Sequence, residues 1–126
     1  FEFHKDTLTQ TGTSCAALLG DLDHPNVCTY WQPAPELDVS RNLTELRTVL
    51  PWLVGLHVFH WGTTHIDRHP LAQGELDWAQ YIAMAQACPG LLNVLLEFVK
   101  GGTVEQFNED AATLQRLLSP DFPSSS

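Results

Sequence analysis

At 126 residues, 44% of them hydrophobic, the chain reads as one small domain with enough apolar surface for a real core. A net charge of −9 with only six scattered Lys and Arg argues against a nucleic-acid backbone as partner, because phosphate binding needs clustered cations, and is what a soluble cytoplasmic protein carries. No basic leader and no apolar run of membrane-spanning length appears, so no membrane partner is expected. Cys15, Cys28 and Cys88 form no CxxC pair, so they read as free thiols of a reducing compartment rather than as a disulfide frame or zinc site.

Apolar runs of strand length alternate with amphipathic segments. Phe1-Glu2-Phe3-His4 reads as a first strand, followed by a helix over roughly Thr11 to Leu22, where Cys15, Ala16, Leu18, Leu19 and Leu22 recur at helical spacing. His24-Pro25-Asn26 makes a turn, Val27 to Trp31 a second strand, and Pro33 and Pro35 stop it. Ser40 or Asn42 can cap a second helix with Leu43, Leu46, Val49 and Leu50 on one face. Asn42-Leu43-Thr44 matches a glycosylation sequon, but at a helix start it reads as chance.

Leu53 to Trp61 forms the third strand, ending in a polar loop from Gly62 to Glu75, and a third helix spans Asp77 to Ala87. Leu91 to Val99 is the fourth strand, apolar throughout as in a strand covered on both faces. Thr103, with Gln106 three residues on, is a capping box for a last helix to about Leu118.

Strand then helix, four times over, implies a parallel sheet with right-handed crossovers. A complete (β/α)8 barrel takes about 250 residues. Residues 1–118 are therefore expected to be the C-terminal half of a TIM barrel, with 119–126 a disordered tail. A chain that starts without Met, inside a strand, reads as part of something larger. The bare edges of a half barrel call for closure by a second copy or by a missing N-terminal half. The rival is an open four-stranded flavodoxin-like sheet, disfavoured because no phosphate-binding glycine loop follows the first strand.

Polar residues fall where such strands end. Glu2 and His4 lie on the first, Gln32 after the second, His57 and His60 on the third, and Glu97 on the fourth. A carboxylate or imidazole in an apolar strand is costly unless it is paired or metal-bound. Glu97, between Leu96 and Phe98, is the hardest of these to explain by packing alone. Glu2, His57 and Glu97 together make an oxygen/nitrogen set suited to Mn²⁺, Mg²⁺, Co²⁺ or Zn²⁺. Trp31 and Trp61, at strand ends, are candidate pocket walls.

Four segments carry a family resemblance: Phe1-Glu2-Phe3-His4; Gly55-Leu56-His57-Val58-Phe59-His60-Trp61; Arg68-His69-Pro70-Leu71 with Gly74 and Asp77-Trp78; and Leu95-Leu96-Glu97-Phe98. Together they resemble the xylose-isomerase-like TIM-barrel superfamily, in its sugar phosphate isomerase/epimerase branch. The resemblance implies a divalent metal ion held by Glu2, His57 and Glu97, with Gln32 where the family more often has Asp. It implies proton transfer next to a carbonyl through an enediolate, with Glu2 and Glu97 moving the proton. It gives Arg68 to the substrate oxygens and puts His60 where the family usually has an acid. The implied substrate is a sugar or sugar phosphate. The alternatives are a non-catalytic half barrel that self-associates and, further off, an endonuclease-like or dehydratase relative.

Overall fold

The computed structural model describes residues 1–91 and 93–122. In chain order these form α1 (Gly12–Leu22), β1 (Thr29–Trp31), α2 (Val39–Val49), β2 (Leu53–Val58), β3 (His60–Trp61), β4 (Arg68–His69), α3 (Glu75–Gln86), β5 (Asn93–Leu96) and α4 (Val104–Leu118). Short 3-10 turns lie at Leu50–Trp52, Leu71–Gly74 and Lys100–Gly102. β1, β2 and β5 make a parallel sheet in that order, and β3 pairs antiparallel with β4 in a separate ribbon.

The expectation of half a (β/α)8 barrel is therefore overturned. Among the described residues the sheet has three strands, stays open, and is not built from four βα units. Residues 1–4 form no strand. The Phe1 carbonyl accepts from Tyr30 N at 2.7 Å, but the segment then turns at Lys5 and Asp6, the latter at φ 66°. A short segment paired on one side has too few backbone bonds to hold a ladder against that turn. The sheet is open, as in the flavodoxin-like alternative, but has three strands among the described residues rather than four.

Two other strands are shorter than expected. The third stops at Val58, after which His60–Trp61 pairs instead with Arg68–His69 across a loop closed by Gly62 N donating to Asp67 O. The fourth spans Asn93–Leu96, and Leu92 lies outside the described residues. Glu97 N still donates to Val58 O at 2.9 Å, and Phe98 at φ 56° then ends the strand.

The helix starts follow from local chemistry. Thr11 caps α1 in a reciprocal box with Ser14. Asp38, not Ser40 or Asn42, caps α2 by accepting from Arg41 N at 2.8 Å. Asn42 is buried instead, its side chain bonded to Ala34 N, Ala34 O and Leu37 O, so the sequon asparagine is sequestered. Thr103 caps α4, while the Gln106 side chain reaches Asp110 rather than completing the box. Asp110, buried, also accepts from Leu71 N and so ties α4 to the turn before α3.

Right-handed crossovers between strands whose order never reverses put the helices on one face of the sheet. α1, α2, α3 and α4 pack against one another in sequence order there. Strand alternation sorts the side chains between the two faces. In the register Trp31–Leu56–Val94, Trp31 and Leu56 are buried and Val94 packs on the core. In the neighbouring register Tyr30–Gly55–Asn93, the Tyr30 and Asn93 side chains emerge on the face without helices, as do those of His57 and Leu95. Trp78 pins α3 to the end of β2 through Nε1 donating to Phe59 O at 2.8 Å.

Among the described residues no helix is long and apolar enough to cross a membrane. The three cysteines are free. Cys15 is buried, and burial pushes its thiol up from the ordinary 9.0. Phe122 packs against the core, and residues 123–126, the end of the expected tail, lie outside the described residues.

Candidate functional site

Four of the residues singled out from the sequence meet on the helix-free face. His57 projects from β2, Gln32 follows β1, Glu97 follows β5, and Glu2 lies beside β1 on the N-terminal segment. They share a face because each strand residue lies an even number of positions from its outward-facing neighbours: Gln32 from Tyr30, His57 from Gly55, Glu97 from Leu95. Phe3, buried in the core, anchors the N-terminal segment and turns the adjacent Glu2 outward.

His57 Nδ1 is the hub. It lies 3.2 Å from Gln32 Oε1, 3.3 Å from Glu97 Oε2 and 3.7 Å from Glu2 Oε2. The imidazole is the most enclosed of these three side chains at 15% exposure, against 28% for Glu97 and 40% for Glu2. Glu97 Oε2 is buried with no hydrogen-bond partner. Burial pushes the Glu97 carboxyl up from the ordinary 4.5; His57 pulls it down, Glu2 raises it further, and His4 lowers it.

Three oxygens facing one imidazole nitrogen pose a definite chemical problem. One proton on Nδ1 can serve one acceptor well, whereas a divalent cation can serve all of them. Two donors each about 2.1 Å from a shared ion stand about 3.0–3.4 Å apart at right-angle to tetrahedral geometry. The Gln32 and Glu97 separations match that spacing, and Glu2 sits just outside it. Among the described residues no group of three or more His, Cys, Asp and Glu is gathered tightly enough to hold a metal ion. Glu2, the most exposed and most distant of the set, is the member left outside. The donor chemistry and the orphaned Glu97 oxygen fit a hard divalent ion, with the amide oxygen of Gln32 as a neutral ligand.

The substrate-side residues divide. Arg68 lies with its guanidinium 4.7 Å over the Phe98 ring and 5.7 Å from Trp61, its Nε donating to His65 O. Phe98 follows Glu97 directly, so Arg68 and Trp61 flank the end of β5. Trp61 also stacks on Phe59 at 4.0 Å, and its Nε1 is buried without a partner. His60 and Trp61 line a cavity of about 300 Å³ with Asp38, Asp77 and Tyr81, beginning one residue beyond Gln32. Burial pushes His60 down from its ordinary 6.5 despite Asp77. A larger cavity, about 800 Å³ and lined by Val27, Pro51, Trp52 and Cys88, opens at the opposite end of the strands, away from this chemistry.

Trp31 is not a pocket wall. At 1% exposure it packs edge-on against Trp78 and Tyr81 in the core, because its position in β1 points to the helix face. The reverse holds for Tyr30, which sequence reasoning passed over and which stacks on His57. Its spacing of two from Gln32 was the signal that could have found it. Set beside family models, characterised proteins and solved structures, the chain matches none of them.

Proposed function

We propose that this chain carries a proton-transfer site for a carbon next to a carbonyl, assisted by a divalent metal ion and acting on a sugar or sugar phosphate by isomerisation or epimerisation. The observation that carries the reading is the meeting of Glu2, Gln32 and Glu97 at His57 Nδ1. A bound divalent ion would supply electrostatic stabilisation of the charge that develops on a carbonyl and its neighbouring hydroxyl oxygen as the α proton leaves. Glu97, whose carboxyl is held up by burial, is suited to hold and return a proton nearer neutrality than an ordinary carboxylate. Glu2 is the second carboxylate, more open to water. Arg68, fixed over Phe98, offers its remaining N–H groups to substrate oxygens. The choice of substrate class rests on the resemblance read from the sequence segments alone, since no known protein matches the chain.

Two measurements test this together. Titration with Mn²⁺, followed by electron paramagnetic resonance, should show saturable binding that His57→Ala and Glu97→Gln each weaken by at least about tenfold. With Mn²⁺ present, ¹H NMR in D2O across a panel of aldoses, ketoses and their phosphates should show loss of an α proton that Glu97→Gln suppresses. Mn²⁺ binding unchanged in Glu97→Gln would sink the site. Binding without exchange on any sugar would sink the reaction and leave the site standing.

A further inference from the structure

We propose that Tyr30 is the positioning residue for His57, and that position 55 is glycine to admit it. The inference rests on the reading above that His57 Nδ1 is the working atom of the site. Tyr30, Gly55 and Asn93 occupy one register of the sheet, on β1, β2 and β5. The Tyr30 ring lies sideways across that row. A Cβ on Gly55 would collide with the edge of the ring at Cε1 and Cδ1. On the far side the Asn93 side-chain amide donates to the Tyr30 hydroxyl at 3.4 Å, so the ring spans from one edge strand to the other.

His57 then stacks on this ring, with centroids 4.9 Å apart and planes 22° from parallel. A working histidine is ordinarily held in place by a hydrogen bond to its second nitrogen, which fixes both tautomer and ring plane. Among the described residues no hydrogen bond reaches His57 Nε2; the contacts are all at Nδ1. The flat face of Tyr30 fixes the ring plane instead, and the acceptors then facing Nδ1 select the tautomer. It blocks rotation of the imidazole about χ2, so Nδ1 stays turned toward Gln32, Glu97 and Glu2. Tyr30 touches neither substrate nor ion in this role and acts through His57.

The test uses the full chain with Tyr30→Leu, Tyr30→Phe and Gly55→Ala. It combines Mn²⁺ affinity, thermal midpoint and the ¹⁵N ring signals of His57 in the metal-free protein. Expected are at least tenfold weaker Mn²⁺ binding and averaged His57 tautomers in Tyr30→Leu, near-native behaviour in Tyr30→Phe, and an intermediate loss in Gly55→Ala. The last moves the same ring without altering it, and decides the matter if Tyr30→Leu does not fold. A merely structural tyrosine would lower the midpoint and leave tautomer and affinity as they were; that result overturns the proposal. If the native chain binds no Mn²⁺, the proposed function fails separately. The His57 ring signals then decide the role of Tyr30 alone: averaging in the variants upholds it, and an unchanged single tautomer ends it.

Discussion

The two faces of the β1–β2–β5 sheet are made by the same three strands, one residue out of step, and they do opposite work. Toward the helices, Trp31 and Leu56 are buried, Val94 packs beside them, and Trp78, Tyr81 and Leu71 close over them. Away from the helices, Tyr30, His57 and Asn93 are partly open, and Leu95 is 45% exposed. Polar groups there meet one another rather than a packed wall. One face excludes water and supplies stability; the other keeps an imidazole and two carboxylates near enough to interact and open enough to be reached. A shift of one residue in any of these strands would exchange the roles.

The largest expected effect breaks the covered face. Trp31→Ala should cost about 3–5 kcal/mol in urea unfolding, a large share of the stability of a domain this size. The folded fraction should keep its Mn²⁺ affinity, because Trp31 has no part in the open face. Loss of ion binding in parallel with stability would mean that the two faces are coupled.

Alkaline titration probes the same face more gently. Burial, with Asp77 next, pushes the Tyr81 hydroxyl from 10.0 up to about 12, against a hydrogen bond from Asn42. A raised folded value contributes stability below pH 10 that is lost as pH rises toward 12. The loss is on the order of 2–3 kcal/mol, and Tyr81→Phe should flatten it in unfolding curves taken across that range.

On the open face the sign at neutral pH is the informative part. The raised Glu97 carboxyl favours the protonated form in the fold, so its contribution is fully present below pH 4.5 and is lost as pH rises through the folded value. Metal-free Glu97→Gln should therefore be more stable than the native chain at neutral pH. Mn²⁺ should reverse the order by stabilising only the native chain. A Glu97→Gln protein that is less stable without metal would show that Glu97 serves packing. The smallest effect belongs to neither face: the exposed Arg116–Glu75 pair at 3.3 Å should yield no more than about 1 kcal/mol to Arg116→Ala, and less at high salt.

The residues of the candidate site stand out in the sequence because charged groups inside apolar strands carry a cost that packing alone does not explain. Glu97 between Leu96 and Phe98, and His57 between Leu56 and Val58, are such places, and they do meet. A strand end reveals that a side chain is large and apolar without revealing which face it takes, and Trp31 takes the core face rather than a pocket wall. The short ribbon of His60–Trp61 with Arg68–His69 was hidden in a loop, since two-residue strands have no periodicity to read.

The sequence by itself determined the four helices, their order between strands, and the residues whose burial would need a reason. Those follow from local propensity, capping and spacing, which act within a few residues. Only the tertiary structure decided that Phe1–His4 joins no ladder, that three strands and not four make the sheet, and that Tyr30 lies flat over Gly55 beside His57. Each of these depends on pairing between segments far apart in the chain, where backbone bonds and contact between side chains, not local preference, set the outcome.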